Sequence, residues 1–424
     1  MGTTRLLLAA SLAVTVACTA PVRDDRPADP PALTHDVLIL GTSRGTALVD
    51  GATERVFVSQ AGHVTSPDGS RLYAAVVDGD RTRVETRDSL SGDVLTSSNL
   101  RHTVVDGAWQ VTAASISGHA AVLTRSRPYD LDDSVALPRA RTPLVVVDPT
   151  GRRPVRRFGL RGNYEPEAFS VDDTRLFMIQ YLPALAPSSY RVTSLDLATG
   201  QVRAVYGRFT SPPERMPGVR LAQVFGLASE QLYTLYSNRP AEHFHDHWQD
   251  ATPSDREVSF VHVLNLRKGW AYCAGLPREL WGRPQGTQAV VATPNGRSVF
   301  VIDPGKGLIA EMDTRSLKIT RTAEVELGAV RGASVSAVMS PDGHTLYVHA
   351  GGALVARVDV ADLTVVGRLS IPGPATGIGL SDDGLRLYAS LLDRIVVVDT
   401  ASGDAQAIGV PIGDGASILR VRTA

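Results

Sequence analysis

The sequence predicts an all-β protein, a β-propeller of four-stranded antiparallel blades, eight in number with one composite closing blade, and seven as the alternative. Three observations predict it. A tight polar turn followed by an apolar strand start recurs along the chain. A second apolar run ending in an acidic turn follows each copy. No stretch carries a long helical period, and β-branched residues dominate the apolar runs.

The first element is SPDGSRLYAA at Ser66, which returns as SISGHAAVL at Ser115, SVDDTRLFMI at Ser170, GLASEQLYTLY at Gly226, TPNGRSVFVI at Thr293, SPDGHTLYVHA at Ser340 and SDDGLRLYAS at Ser381, at intervals of 41 to 67 residues. A polar turn between two apolar runs is what a hairpin requires. The second element reads VETRDSLSG around Asp88, LVVVDPTG around Asp148, TSLDLATG around Asp196, VHVLNLRKG around Asn265, AEMDTRS around Asp313, ARVDVADL around Asp359 and VVVDTASG around Asp399. An eighth copy, TALVDGAT around Asp50, precedes the first polar turn. Asp, Ser and Thr at these places cap their own turns through backbone hydrogen bonds.

Each unit therefore supplies strand A before the polar turn, B after it, C up to the acidic turn and D beyond, as in ASVSAVMS, HTLYVHA, ALVARVDV and TVVGRLSI. Four short strands repeated in this way are the mark of a propeller blade. The N-terminal stretch DVLILGTSRGTALVDGATERVFV offers B, C and D without an A, and the C-terminal GASILRVRT falls where the next A belongs. Joining them closes the ring and removes two exposed sheet edges.

Ahead of the repeats, residues 1–17 hold one Arg5 and an apolar run from Leu6 to Val16 that ends at Ala17. About twenty apolar residues are needed to cross a bilayer as a helix, so the run predicts a secretory signal. Residues 18–35, rich in Pro and Asp, predict an extended tether, and 36–424 the propeller. The stretch VTVAC resembles the lipobox of bacterial lipoproteins, which implies lipidation of Cys18 and a place on the outer face of the cell membrane, with plain secretion as the alternative. The other cysteine, Cys273, then has no disulfide partner in the chain. With Lys+Arg 43 against Asp+Glu 44, the chain lacks the basic surplus of a nucleic-acid binder.

SPDGxxLYV strands followed by DxxTG turns resemble the YVTN-type repeats of bacterial secreted and cell-surface propellers over residues 36–424. That resemblance implies a fold and leaves the activity open, since the group holds surface scaffolds and is related to propeller lactonases. The turns also resemble those of quinoprotein dehydrogenases, but the recurring Trp of that group is missing: the chain's four Trp, at 109, 248, 270 and 281, do not follow the turns.

In a propeller the B-to-C and D-to-A connections gather on one face, around the mouth of the central channel. Two long B-to-C excursions are expected there, RSRPYDLDDSVALPRART and SNRPAEHFHDHWQDATPSDRE. In the second, His243, His245 and His247 alternate, so an extended backbone turns three imidazoles to one side, a candidate site for a divalent metal, although a solvated loop explains them as well. In the first, Asp130, Asp132 and Asp133 could ligate Ca²⁺ but lack the Gly and Glu of a calcium loop. Residues opening the A strands place Trp109, Glu165, Glu167, Arg220 and Arg331 at the channel mouth, and the paired Glu165 and Glu167 could work as acid and base or line a wet channel. Cys273 and Trp270 are expected between blades, and His262 and His349 within sheets.

No HExxH helix, Walker loop or CxxC pair is present. The expectation is an exported, membrane-anchored monomer that binds a small molecule or an envelope protein and needs no cofactor. The alternative is a metal-dependent, lactonase-like hydrolase with its site at the channel mouth.

Overall fold

The recurring serines explain why the polar turns nucleate the hairpins. Ser66 Oγ accepts the backbone N–H of Arg71 at 3.0 Å and donates to Asp68 Oδ1 at 2.5 Å. The same two bonds recur at Ser170 with Asp172 and Arg175, at Ser340 with Asp342 and Thr345, and at Ser381 with Asp383 and Arg386. Thr293 and Asn295 reproduce them with Ser298. In the companion turns, Asp50, Asp196, Asp359 and Asp399 each accept two successive backbone N–H groups, and Asn265 substitutes with one from Lys268. The side chain thus satisfies donors that a tight turn leaves unpaired.

The computed structural model describes residues 35–423 except 43–44, 61–62, 102–108, 126–136, 149, 151–154, 210–214, 217, 238–257, 284–285, 329–333 and 410–415. Eight four-stranded antiparallel sheets are present among them. The second to eighth blades span 63–101, 109–161, 163–204, 219–275, 289–324, 336–370 and 377–408, and the first is composite. Its order is Ser417–Thr423, Asp36–Thr42, Gly45–Asp50 and Arg55–Gln60, so the last strand of the chain pairs with the first, Leu38 facing Val421. The closure read from the two ends is therefore the one observed. The fifth blade carries one addition, Tyr206–Gly207, parallel to its outermost strand.

The unit at Gly226 has no capping serine at the expected place, yet its hairpin forms between Val219–Gly226 and Gln231–Ser237, with Ser229 Oγ donating to Gly226 O at 3.1 Å.

The core lies between the blades. Leu232, Tyr236, Phe260 and Leu264 of the fifth sheet pack on Phe177, Ile179, Tyr190 and Val192 of the fourth. The other face of the fifth sheet, with Tyr233, Leu235, Val261 and Val263, meets Val299, Val301 and Met312 of the sixth. Full burial of each such side chain contributes roughly 1.5–3 kcal/mol, and among the described residues no disulfide adds to it. Arginines at strand starts also reach over neighbouring turns: Arg71 Nη1 donates to Gly118 O at 3.1 Å. Gly118 has φ 74°, and a Cβ there would lie 2.4 Å from Arg71 Nη1, so both conformation and contact require glycine.

The ring is locked where the chain begins. Asp36 is fully buried, and Arg386 Nε and Tyr388 OH of the eighth blade donate to its Oδ2 at 2.6 and 2.7 Å.

Candidate functional site

The innermost strands of the third, fourth and fifth blades, Trp109–Ala114, Asn163–Phe169 and Val219–Gly226, share a departure from regular pairing near their starts. Register shifts fall between Val111 and Ala113, Pro166 and Ala168, and Arg220 and Ala222. A bulge leaves one residue unopposed and re-aims its side chain. In the fourth blade that residue is Glu167.

The structure brings Glu165, Glu167 and Arg220 together. Arg220 Nη2 lies 3.4 Å from Glu165 Oε1 and its Nη1 3.6 Å from Glu167 Oε1. Tyr181 OH donates to Glu165 Oε2 at 2.5 Å, and Gln223 Nε2 donates to Glu167 Oε1 at 3.3 Å. The Glu165 and Arg220 side chains are 26% and 45% exposed, whereas that of Glu167 is 1% exposed. Its Oε2 is buried with no hydrogen-bond partner.

Burial is the main cause that pushes the Glu167 carboxyl up to about 7; Arg220 opposes the shift and Glu165 reinforces it. Burial also works against the charge of Arg220, but the two glutamates outweigh it and hold the guanidinium above its ordinary value. Tyr181 and Tyr236 are raised well above the usual phenol range, by burial first and then by the Glu165 and Glu167 charges respectively. The cluster therefore holds a permanent cation, Arg220, beside one buried carboxyl, Glu167, that exchanges a proton near neutral pH.

Tyr181, Tyr190, Tyr236 and Gln223 were not singled out by sequence reasoning. Their signal was faint: tyrosines in inward-packed strands of two adjacent units, with ring centroids 6.3 Å apart for Tyr181 and Tyr190 and 5.0 Å for Tyr190 and Tyr236.

Beside the cluster, a cavity of about 230 Å³ opens between the third and fourth blades, bounded by Gln110, Thr112, Thr124, Arg125, Tyr164 and Glu165 among others. Trp109 opens the innermost strand of the third blade, but its ring is buried against Tyr73, Leu100 and Leu123. It serves the blade interface, and it supports the cavity by carrying the Arg125 guanidinium 4.5 Å above its ring. A larger cavity, about 330 Å³, lies near Asp148, Asp172 and Asp196. Those carboxylates cap their own turns, so the smaller cavity, which Glu165 borders, is the better candidate.

Arg331, His243, His245 and His247, Asp130, Asp132 and Asp133, and Cys18 lie outside the described residues. Among the described residues, no three His, Cys, Asp or Glu side chains are grouped to hold a metal ion. His262 is buried in the fifth sheet, and burial pushes its imidazole down to about 4. His349 is buried in the seventh, its Nε2 within 3.0 Å of Gly352 O. Cys273 and Trp270 pack on opposite faces of the fifth blade, against the fourth and sixth.

No protein-family model and no curated protein matches the sequence. Solved structures do share the fold. Apo AztD from Citrobacter koseri is 13% identical with a TM-score of 0.55, the match covering 92% of this chain and 98% of that one. The dihydro-heme d1 dehydrogenase NirN, solved in complex with DHE, is 17% identical with a TM-score of 0.52, over 96% of this chain and 78% of that one. At such identities the likeness is one of fold alone.

Proposed function

We propose that the chain is an exported, lipid-anchored propeller of the YVTN type that binds a small polar molecule at the channel mouth, where the third to fifth blades meet. The observation that carries this reading is Glu167. A buried carboxyl oxygen with no partner costs about 1–3 kcal/mol or more, and blade packing gains nothing from it. Such an orphan beside a half-exposed ion pair, whose Glu165 borders a polar cavity, is the arrangement of a binding site with room for one more donor. Export and anchoring rest on the sequence alone, on the apolar run Leu6–Val16 and the stretch ending at Cys18.

Two experiments test the proposal. Thermal-shift screening of small carboxylic acids, amines, amino acids and sugars should find a compound that raises the melting temperature, because a ligand that prefers the native state stabilises it. Arg220→Met and Glu165→Gln should each abolish that shift while leaving the transition cooperative. A shift that survives both substitutions places the ligand elsewhere, and a screen without any stabilising compound counts against a small-molecule role. For the anchor, Cys18→Ser should move the protein from the membrane to the soluble fraction; unchanged membrane retention rules out acylation there.

A further inference from the structure

Away from the channel, the contact between the fourth and fifth blades holds three donor side chains whose chemistry belongs together. Cys273 stands on the outermost strand of the fifth blade, directly opposite His262 in the ladder. Side chains paired across antiparallel strands share a face, with Cβ atoms about 4.5–5.5 Å apart. Met216 comes from the connection between the two blades and is fixed by a pair of backbone bonds with Tyr190, at 2.9 and 2.8 Å. It sets its Sδ 3.5 Å from Cys273 Sγ. Two sulfurs at that separation can bind one ion at a metal–sulfur distance of about 2.3 Å, with an S–metal–S angle of roughly 100° by the same geometry.

His262 supplies the second observation. It is 2% exposed, it meets Tyr236 edge-on at 6.2 Å, and no hydrogen bond to its ring is present among the described residues. A buried imidazole without a hydrogen-bonding partner is costly in an apolar setting unless another ligand completes it. The surroundings, Tyr190, Val205, Tyr236 and Phe260, are largely apolar or aromatic, with Thr234 across the ladder from His262 and its Oγ1 taken by Gln223 at 2.9 Å, while Cys273 itself is only partly buried and gives a way in.

We infer that Cys273, Met216 and His262 form a binding site for a soft monovalent metal ion, Cu(I) or its redox-inert analogue Ag(I). A thiolate, a thioether and a neutral imidazole are the donors such ions prefer, and a thioether is a poor ligand for zinc. Charge also decides the class: one thiolate neutralises one monovalent cation, so the occupied site carries no net charge into the low-dielectric interior, whereas a divalent ion leaves one positive charge uncompensated. Binding replaces the thiol proton, which passes to solvent, and no electron is transferred.

The test is an anaerobic titration of the full-length protein with Cu(I) in competition with a colorimetric chelator, repeated with Ag(I) and with Zn(II). Wild type should bind one more equivalent of Cu(I) than Cys273→Ser, so any metal held at Cys18 or the histidine-rich segment cancels in the difference. Met216→Leu, which preserves volume, should weaken that equivalent about tenfold or more, and His262→Gln likewise. Copper K-edge absorption of the loaded protein should show sulfur and nitrogen neighbours. Equal stoichiometry in wild type and Cys273→Ser overturns the site. So does a Met216→Leu protein with unaltered affinity, a readout that holds even where the cysteine variant fails to fold. Preference for Zn(II) over Cu(I) overturns the assigned class.

Discussion

Two buried carboxyl groups in this ring each face an arginine, and they differ in how completely they are paired. At the closure, Asp36 accepts from Arg386 Nε at 2.6 Å and Tyr388 OH at 2.7 Å, with Arg386 Nη2 a further 3.4 Å from Oδ1. In the cluster of the fourth and fifth blades, Glu167 has only Gln223 at 3.3 Å and Arg220 at 3.6 Å, both on one oxygen, and the other is orphaned. Closure ties strands from opposite ends of the chain, so incomplete pairing there weakens the whole ring. The cluster joins neighbours already held by an apolar interface and can leave a polar group half-satisfied for a ligand. Completeness of pairing separates a lock from a site.

The largest expected effect breaks the lock. Asp36→Asn takes the buried counter-charge from the Arg386 guanidinium, 5% exposed, and leaves it only the partly exposed Asp383 at 2.7 Å; removing one partner of a buried pair costs about 3–5 kcal/mol, and the remaining pair puts this loss toward the lower end. Replacing both, as Asp36→Leu with Arg386→Met, should recover most of that loss, because well-packed apolar residues often replace a buried ion pair at little net cost. Chemical denaturation of the three variants gives the values. A loss under about 1 kcal/mol for Asp36→Asn, small against that range, means the pair does not hold the closure.

The second effect tests the opposite character of Glu167. Its carboxyl is raised in the folded state, so the native protein holds a proton that the unfolded chain releases near pH 4.5. This contribution to stability is complete below that pH and is lost as the pH rises through about 7. At one pKa unit per 1.36 kcal/mol, the loss is on the order of 3 kcal/mol. Glu167→Gln keeps the neutral form and should flatten the decline in unfolding free energy between pH 5 and 9, leaving the variant the more stable protein at the alkaline end. Parallel pH profiles for the two proteins sink the idea that Glu167 carries the proton.

The lock and the site were not equally legible in the sequence. Repeated side-chain chemistry made the blades readable: a Ser–Asp pair or a capping Asp is a local device, so it leaves the same mark each time it is used. Glu165, Glu167 and Arg220 were singled out because the repeat register assigns them to innermost strands, where the structure has them. What escaped notice depends on contacts distant in the chain. Asp36 and Arg386 are 350 residues apart, and nothing in HDVLIL or LRLYAS tells that one neutralises the other. The bulge at Glu167 likewise emerges only from pairing with the next strand, so the sequence predicted two equivalent glutamates where the fold makes one half-exposed and one buried.

A smaller effect is expected at the turns, which belong to neither region. Asp399 accepts N–H groups of Ala401 and Ser402 at 2.9 and 2.7 Å, and the Ser402 bond is the main reason its carboxyl lies below the ordinary range. Asp399→Ala should cost about 1 kcal/mol near neutral pH, the net worth of a typical hydrogen bond. Because the folded-state pKa is lowered, the difference between the two proteins should vanish as the pH falls through that value. A difference that persists in acid assigns the residue a steric role.

The smallest effect sharpens the contrast from the mouth side. Ser237 pairs with Ser259 at the end of the ladder between Gln231–Ser237 and Ser259–Asn265, so the fifth blade is complete without the stretch that joins them. Deleting residues 242–250 shortens that connection to about half its length, and loop-closure entropy changes by only about 0.6 kcal/mol per factor of two, in the direction that favours folding. Unfolding free energy should therefore stay within that margin, while any ligand stabilisation that depends on the excursion is lost. If instead the deletion costs several kcal/mol, this connection is bound into the fold as tightly as the closure is, and incomplete pairing at Glu167 is a defect that it compensates.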